Sequence, residues 1–455
     1  MTISVAPILK GTAWTIGAYG VGQAIRFLTN IVLARLLAPE LFGIMLIVNS
    51  TKIGIALLAD VGIGQNIIYN KQANHPEFYN TAWTLELIRN VALSVACIAA
   101  AVPLARFYES PILLWVLPIS AITFLLAGFS SVSRYLLQKR MQIAKLNVFE
   151  TSVAFLSSAA YVVFAYINPT IWALVLGGIF SSVITMIGTY FLLPDVKHRF
   201  FISKQYAREI LTFGKWILLS SIVYFLSMNY DRLYLPKVIP LDLLGVYGVA
   251  RSISELVGLV TLRVGTVVLF PFVASHAHMP RSELYRQLAS LRAKVLFVAA
   301  FVISALVATI DLAVTILYDE RYRAAGWMLP VLILGSWFSI LTTVNDATLV
   351  GVGKPSYSAL ANCGKFVFLV IGLPLSFMAS GIVGVVLIVA LADLCRYFPI
   401  LVGQRRERLS FGVQDLSLTL AAFALIGVWE YLRWSTGFGT SFDALPIDMR
   451  SLMGE

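Results

Sequence analysis

Residues 295–310 read VLFVAAFVISALVATI, a run without a single charge. With its flanks, this run predicts a helix over 293–317, and about 20 apolar residues are enough to cross the hydrocarbon core of a bilayer. Similar runs recur along the whole chain. Of its 455 residues, 59% are hydrophobic and 13% are charged, whereas soluble domains have about 45–50% and about 25%. The composition therefore predicts an all-α, polytopic membrane protein.

Hydropathy, together with the Pro, Gly and charge clusters between apolar runs, predicts about 12 transmembrane helices and a weaker thirteenth at 416–434. The helices fall into two groups of six, which predicts two six-helix lobes at 1–193 and 213–404. Residues 194–212 are predicted to form a cytoplasmic amphipathic linker helix, and 405–455 a C-terminal segment that holds the thirteenth helix. The predicted spans are 9–36, 41–64, 81–105, 112–136, 147–167, 170–193, 213–235, 243–273, 293–317, 326–350, 358–378 and 382–403.

The formal net charge of +11 is unevenly distributed along the chain. Most Lys and Arg residues fall in alternate loops between the predicted spans, for example in the clusters at 134–145, 197–208 and 405–408. Because cytoplasmic loops carry the excess of basic residues, this pattern predicts a cytoplasmic N-terminus. Topology therefore accounts for the charge without a nucleic-acid partner, and the same clusters can contact the anionic headgroups of membrane lipids.

Several cationic residues fall inside predicted spans, and three of them, Arg26, Lys52 and Arg251, lie on spans 1, 2 and 8. A charge at the centre of an apolar helix costs roughly 2.5–3.5 kcal/mol, so such residues usually face a cavity, a partner or a ligand. Arg26 and Lys52 have no opposite charge within four residues, and a ligand that pairs with them would be anionic. These three are the candidate substrate-binding residues. The structural alternative is an interhelical ion pair or a snorkelling side chain, and Arg251 can also pair with Glu255 at i,i+4.

Four further charged residues lie in or near the spans: Asp60, Asp231, Arg232 and Glu255. We consider them candidates for ion coupling or for charge pairing. Elsewhere, the i,i+3 spacing of Glu86 with Arg89 and of Asp393 with Arg396 predicts structural ion pairs on single helix faces. Asp346 and Lys365 stand isolated in the sequence.

Enzyme chemistry is not evident in the sequence. The segment Gly351-Val-Gly-Lys-Pro355 lacks the first glycine and the Ser or Thr of a phosphate-binding loop. The pair His276 and His278 has no neighbouring Cys or carboxylate to complete a metal site. The predicted outer loops are too short to hold a pair of catalytic carboxylates. We therefore predict a transporter with no catalytic residue, no metal and no cofactor.

Three segments carry a family resemblance. The first comprises Gly11-Thr-Ala-Trp14, Gly22-Gln-Ala-Ile-Arg26 and Leu33-Ala-Arg-Leu-Leu-Ala-Pro-Glu-Leu-Phe-Gly43. The second and third are Tyr135-Leu-Leu-Gln-Lys-Arg-Met141 and Leu349-Val-Gly-Val-Gly-Lys354, each of which follows a predicted span. Together they resemble the Wzx-like polysaccharide transporters of the multidrug/oligosaccharidyl-lipid/polysaccharide (MOP) flippase superfamily, over roughly residues 10–405.

The resemblance implies two six-helix lobes that alternate between inward-open and outward-open states in the bacterial inner membrane. It implies a flippase that moves an undecaprenyl-diphosphate-linked oligosaccharide repeat unit for exopolysaccharide, capsule or O-antigen synthesis, together with a polysaccharide polymerase and export machinery. In related flippases, cationic side chains of spans 1, 2 and 8 are associated with the charge of the substrate. Arg26, Lys52 and Arg251 lie on those spans.

Other functions remain open from the sequence alone. A small-molecule or multidrug antiporter would need an anionic cavity for cationic compounds. A membrane glycan ligase or polymerase would need a large outer loop, and a scaffold of an envelope assembly complex would need no transport site at all. The sign of the charge inside the membrane separates the first alternative from a glycan flippase.

Overall fold

The structure is a computed structural model that describes residues 5–264 and 279–445, together with Leu269, Val273 and His276. The chain divides into two compact units, unit 1 at Met1–Phe225 and unit 2 at Leu226–Glu455. The division falls inside one long helix, Lys204–Tyr234. The last part of the predicted C-terminal segment, 446–455, and most of 265–278 lie outside the described residues.

Among the described residues, unit 1 contains nine α-helices and the larger part of a tenth, up to Phe225. They are α1 (Val5–Leu36), α2 (Pro39–Leu58), α3 (Ile63–Tyr69), α4 (Pro76–Phe107), α5 (Leu113–Ser120), α6 (Ile122–Phe129), α7 (Ser133–Lys139), α8 (Ile143–Ile167), α9 (Ile171–Leu192) and α10 (Lys204–Tyr234). The predicted span at 112–136 is a broken one, because its two parts, Leu113–Phe129 and Ser133–Lys139, meet at a bend of 53°. The predicted span 41–64 extends beyond α2, which ends at Leu58, through a turn and into α3. The other predicted spans of the first lobe each coincide with one long helix.

Unit 2 contains the end of α10, Leu226–Tyr234, and five more described α-helices. They are α11 (Leu241–Val264), α12 (Arg281–Leu317), α13 (Ala325–Gly351), α14 (Ser356–Arg406) and α15 (Gly412–Ser435). The helix α14 holds two of the predicted spans, and its backbone leaves the helical conformation at Ser380 and Gly381. Gly381 has φ 57°, a left-handed conformation that glycine adopts without steric cost. The predicted boundary between 358–378 and 382–403 is therefore confirmed.

The helices confirm an all-α polytopic membrane protein. Among the described residues, eight helices are long and apolar enough to cross a membrane, or nine if the bent pair forms one span. The predicted number was higher, partly because α14 counts as one helix here and as two spans in the prediction. The described residues contain no β-strand. The weak thirteenth candidate is the helix α15, which meets the same criterion.

The predicted amphipathic linker helix over 194–212 is wrong in its first half. Residues 196–203 are not helical, and the helix α10 begins only at Lys204. We call residues 197–203 the strap. Alternate backbone N–H groups of the strap donate to side-chain oxygens of α4: Arg199 to Asn80 (2.9 Å), Phe201 to Thr84 (3.2 Å) and Ser203 to Thr81 (3.1 Å). Because α4 satisfies these donors at every second residue, the strap is extended and has no need of helical hydrogen bonds.

His198 fixes the strap to the helices beneath it. Its ring stacks on Trp83, with 5.2 Å between ring centroids, and its Nε2 lies 2.8 Å from Ser131 Oγ. Burial disfavours the charged imidazolium and lowers the pKa of His198 to about 4. The neutral ring is therefore the form that the folded strap accommodates.

Two ion pairs join α15 to α12 at both ends. Arg292 Nη2 lies 2.8 Å from Asp415 Oδ1, and Arg433 reaches both carboxylate oxygens of Asp311 at 2.6 Å. The start of α15 pairs with Arg292, which lies eleven residues after the first residue of α12, and the end of α15 pairs with Asp311 near the end of α12, so the two helices run parallel. Arg292 and Asp311 are nineteen residues apart, which is about 28 Å of helix and close to the bilayer core of about 30 Å.

The pair of Arg292 and Asp415 is almost completely buried, with 0% and 2% of the side chains exposed. Other polar groups complete the cluster: Asn345 and Tyr397 donate to Asp415 at 2.8 and 2.9 Å, and the Arg292 guanidinium lies 3.9 Å from the centroid of the Phe411 ring. These residues come from α12, α13, α14, α15 and the turn before α15. The cluster therefore holds the C-terminal helix in unit 2.

We expect Arg292→Met to lower the free energy of unfolding by about 3–5 kcal/mol, because it leaves the Asp415 carboxylate buried without its cation. Thermal unfolding of the purified protein in detergent measures the change. The control is Arg286→Gln, which breaks an exposed pair with Glu283 and should cost at most about 1 kcal/mol. Equal stability of the two variants would show that the buried pair does not hold α15.

We expect the folded protein to lose stability as the pH falls from about 6.5 towards 4. In this window the unfolded chain protonates His198 and the folded strap does not, since the folded pKa is about 4. His198→Phe keeps an aromatic ring on Trp83 and removes the titration, so its melting temperature should change less between pH 7.5 and pH 5.0. His75→Gln, at an exposed histidine, should behave like the wild type; an unchanged pH dependence in His198→Phe contradicts the assignment.

Candidate functional site

A cavity of about 320 Å³ in unit 1 is lined by residues of α1, α8 and α9. Arg26 of α1 lines one side of it. Hydroxyl groups line much of the rest: Thr29, Ser157, Ser158, Tyr161 and Ser181. Leu33, Val153 and Ala154 add apolar surface. The cavity thus combines a cation, several hydrogen-bonding groups and small apolar patches.

The cavity lies near the middle of the membrane-spanning helices. Because α9 follows α8 after a short turn, the C-terminal end of α8 and the N-terminal end of α9 lie on the same side, and α1 packs parallel to α8. Three lining residues lie ten residues from these ends: Arg26 from Leu36, Ser157 from Ile167 and Ser181 from Ile171. Ten residues of helix span about 15 Å, half the thickness of a bilayer core of about 30 Å.

Arg26 has no ion pair with any acidic side chain among the described residues. Glu150 lines a smaller neighbouring cavity together with Arg26, but the two side chains do not approach within the 4.0 Å of an ion pair. A guanidinium at this depth without a carboxylate is costly unless water or a ligand solvates it. Arg26 is therefore the candidate with the clearest capacity to bind an anion.

Lys52 is the second candidate cation without a carboxylate. It lies in α2, and its ammonium group is 5.7 Å from the centroid of the Phe124 ring, a cation–π contact. Within the described part of the chain it has no ion pair. In the sequence neither Arg26 nor Lys52 has an opposite charge within four residues. In the structure neither forms an ion pair with a described residue.

Arg251 differs from these two because it lies between two carboxylates. Its Nε is 3.4 Å from both Asp231 Oδ2 and Glu255 Oε1, and Arg232 Nη2 lies 2.6 Å from Glu255 Oε2. The Tyr247 hydroxyl donates to Asp231. The structure thus brings four of the candidate residues into one network in unit 2. Two cations and two carboxylates leave it with no net charge.

A second neutral network in unit 2 contains residues whose connection the sequence did not reveal. Lys365 Nζ lies 3.0 Å from Asp393 Oδ1, and Arg396 lies between Asp393 and Asp346 at 3.7 Å from each. The predicted pair of Asp393 and Arg396 is present. Lys365 and Asp346 join it from other turns and helices, so spacing along one helix could not show that they pair.

Asp60 has a local contact. Its Oδ1 accepts the backbone N–H of Gly62 at 3.0 Å, and Gly62 has φ 61°, so the carboxylate stabilises the turn between α2 and α3. Arg89 caps the C-terminus of α2 next to this turn, donating to the carbonyls of Ala59 and Ala56, and pairs with Glu86 at 3.2 Å as its spacing predicts. A cation at this position complements the helix dipole.

The basic motif of Tyr135 to Met141 also has a structural contact. Lys139 donates to the carbonyls of Asn70 and Ile68 at the C-terminal end of α3, and Arg140 contacts Asn74 and Asp195. The Asn70 side chain in turn donates to Glu209 of α10 at 2.6 Å. The motif that supports the family resemblance therefore holds the loops of unit 1 together.

Sequence reasoning did not identify the hydroxyl wall of the cavity. Serine, threonine and tyrosine are common in transmembrane helices, and no spacing distinguished these from the rest. One local signal is that Ser157 and Tyr161 are i,i+4 neighbours on α8, on the face that lines the cavity.

Comparison with curated proteins finds relatives in polysaccharide biosynthesis. The chain is 25% identical over 268 residues to the lipopolysaccharide biosynthesis protein WzxC of Escherichia coli K12, covering 58% of this chain and 54% of that protein. It is 24% identical over 321 residues to the teichuronic acid biosynthesis protein TuaB of Bacillus subtilis 168, covering 70% and 65%. The chain therefore spans between half and two thirds of the length of these relatives.

Solved structures share the fold. The lipid II flippase MurJ in an inward closed conformation matches with a TM-score of 0.73 and 13% identity over 93% of both chains. A multidrug resistance MATE family transporter of the MOP superfamily in an inward-facing conformation matches with a TM-score of 0.68 and 17% identity, over 85% of this chain and 94% of that one.

Residues 32–326 match the family described as "Polysaccharide biosynthesis protein". This match covers well over half of the chain, and it includes most of unit 1 and the first helices of unit 2. The chain therefore belongs to the polysaccharide biosynthesis protein family, in agreement with the family resemblance that the sequence predicts.

Proposed function

We propose that the protein is a flippase that moves an undecaprenyl-diphosphate-linked oligosaccharide repeat unit across the bacterial inner membrane for exopolysaccharide, capsule or O-antigen synthesis. The observation that carries the proposal is the unpaired Arg26 in a hydroxyl-lined cavity at mid-membrane depth. A guanidinium binds phosphate or carboxylate through charge-assisted hydrogen bonds. Hydroxyl groups suit the many donors and acceptors of a sugar.

The sign of the charge argues against an antiporter for cationic compounds. Arg26 and Lys52 would repel a cationic drug, and the networks around Arg251 and Lys365 are neutral. Glycan synthesis or ligation would need paired carboxylates next to the polar substrate, and the cavity of unit 1 is lined by no acidic residue among the described ones. A carrier fits these residues better than an enzyme does.

We assign different roles to the candidate residues. Arg26 and Lys52 bind anionic parts of the substrate. Arg251, together with Asp231, Arg232 and Glu255, forms a charge-paired network that holds α10 and α11 together. Ion coupling at this network would require a carboxylate to lose its cation, and Glu255, with 36% of its side chain exposed, is the member most accessible to such an exchange.

We also propose a topology. In this topology the lobes predicted at 1–193 and 213–404 alternate in access during transport. The N-terminus is cytoplasmic, as the basic loops predict. Since α15 runs parallel to α12, it is a thirteenth span, and the described residues after it, 436–445, lie on the periplasmic side. A polysaccharide polymerase and the export machinery would receive the flipped unit there.

We expect Arg26→Gln to stop flipping while the protein remains at normal levels in the membrane, because the variant removes an unpaired charge and breaks no ion pair. Lipid-linked oligosaccharide should then accumulate in the cytoplasmic leaflet, measured by lipid extraction and leaflet-specific probing of a deletion strain that carries the variant. Arg26→Lys keeps the charge without the planar fork and should restore part of the activity. Wild-type export in Arg26→Gln would reject the role.

Two variants serve as comparisons for Arg26. Arg106→Gln removes an exposed arginine at the end of α4 and should leave both protein level and export unchanged. Arg251→Gln leaves Asp231 and Glu255 with one cation fewer, so we expect a lower protein level in addition to any loss of export. If Arg251→Gln instead stops export at a normal protein level, Arg251 binds substrate as Arg26 does.

The topology is tested by labelling single cysteines in a variant whose three natural cysteines are replaced by serine. Thr440→Cys, beyond α15, should react with a membrane-impermeant maleimide in intact spheroplasts. Gln287→Cys, at the start of α12, should react only after the membrane is permeabilised. The reverse pattern would invert the orientation, and protection of both sites would place the segment after α15 on the cytoplasmic side.

A further inference from the structure

Tyr161 lines the same cavity of unit 1 as Arg26, and two glycines of α9 determine where its ring lies. A Cβ added to Gly177 would lie 2.3 Å from Tyr161 Cδ1, and one added to Gly178 would lie 3.3 Å from the hydroxyl oxygen. The first distance is impossible for real atoms, so only glycine at 177 permits this ring position. Glycine inside a helix costs roughly 0.5–1 kcal/mol of stability relative to alanine. Here Gly177 and Gly178 leave the space that the Tyr161 ring occupies, which we call the slot.

The hydroxyl groups that line this cavity differ in whether they already have a hydrogen-bond partner in the protein. Ser157 donates to Ser181 at 2.8 Å, which links α8 to α9. Tyr161 and Ser158 have no hydrogen-bond partner among the described residues, and neither hydroxyl is among the fully buried unpaired atoms. Both can therefore donate to, and accept from, a molecule in the cavity. Arg26 supplies the positive charge in the lining of the same cavity.

The size of the cavity limits what it can hold. A volume of about 320 Å³ is at the lower end of the roughly 300–1,000 Å³ that is usual for small-molecule sites. It can take one part of an oligosaccharide, not the whole repeat unit. Leu33, Val153 and Ala154 provide an apolar surface for the C–H face of a sugar ring.

We propose that this cavity is a subsite for one sugar that carries a negative charge: Arg26 binds the anion, and Tyr161, held in the slot of Gly177 and Gly178, binds the hydroxyls of the ring. The inference rests on the proposed flippase function and names the part of the substrate that unit 1 recognises. The anion can be the carboxylate of an acidic sugar in the glycan or the phosphate attached to the first sugar. Tyr161 is thus a specificity-determining residue.

The test uses the purified full-length protein and three soluble probes: glucuronic acid, glucose 1-phosphate and glucose. Binding is measured by titration calorimetry at millimolar probe concentrations. We expect at least one anionic probe to bind more tightly than glucose and Arg26→Gln to abolish that preference. Binding of glucuronic acid alone identifies a sugar carboxylate as the source of the charge, and binding of glucose 1-phosphate alone identifies the phosphate of the linkage. Equal binding of all three probes, or of none, overturns the proposal.

Two variants examine Tyr161. Tyr161→Phe keeps the ring in its slot and removes one hydroxyl, so the affinity for the bound anionic probe should fall about three- to tenfold, as expected for one hydrogen bond. Gly177→Ala changes no group in the cavity and pushes the ring out of its slot, so it should weaken binding at least as much. Gly427→Ala is the matched control, since a Cβ at that helical glycine meets no atom within 4 Å. Unchanged affinity in Tyr161→Phe rejects the role of this residue.

Failure of this subsite and failure of the proposed function can be distinguished. If lipid-linked oligosaccharide accumulates in the cytoplasmic leaflet of the deletion strain, and Tyr161→Phe and Gly177→Ala both restore wild-type flipping, then the protein is a flippase and the subsite is wrong. If the deletion strain has its lipid-linked units in the periplasmic leaflet, the flippase proposal falls, whatever the probes bind.

Discussion

A charged side chain at the centre of an apolar bilayer costs roughly 2.5–3.5 kcal/mol, and the arrangement of both units follows from how this cost is met. In unit 2 every candidate cation meets a carboxylate from a neighbouring turn or helix. Arg251 lies between Asp231 and Glu255, and Lys365 pairs with Asp393. These pairs join helices that apolar contacts alone would leave free to slide, because lipid tails are as apolar as the helix surfaces.

In unit 1 the two candidate cations are not paired with carboxylates in the described part of the chain. Arg26 and Lys52 have no carboxylate partner among the described residues, and Arg26 borders a cavity rich in hydroxyls. An unpaired cation that borders a cavity can bind an anion, whereas a cation paired with a carboxylate is already neutralised by it. We therefore place recognition of the anionic substrate in unit 1 and structural support in the networks of unit 2, including the buried pair of Arg292 and Asp415 that secures α15.

The predictions that rest on spacing within one helix were the most reliable. The break at Ser380 and Gly381 and the pairs Glu86–Arg89 and Asp393–Arg396 depend on neighbouring turns of one helix, and all are present. The prediction of an amphipathic helix over 194–212 was wrong in its first half. The helical periodicity is correct for the residues that begin α10, but it does not apply to the strap. Distant side chains of α4 satisfy the backbone of the strap, and no local pattern records them.

The sequence by itself determined the class of protein, most of its spans, its family and the presence of charges inside the membrane, since hydropathy and helical spacing are properties of contiguous residues. Only the tertiary structure decided which of those charges are neutralised. Arg26 and Arg251 both lie inside predicted spans, and the spacing of Arg251 offers it only Glu255 as a partner. The structure shows that Arg26 borders a hydroxyl-lined cavity, whereas Arg251 also pairs with Asp231 of a different helix. The reason is physical: a charge in a low-dielectric interior is governed by the groups within a few ångströms, and helices distant in the sequence supply most of them.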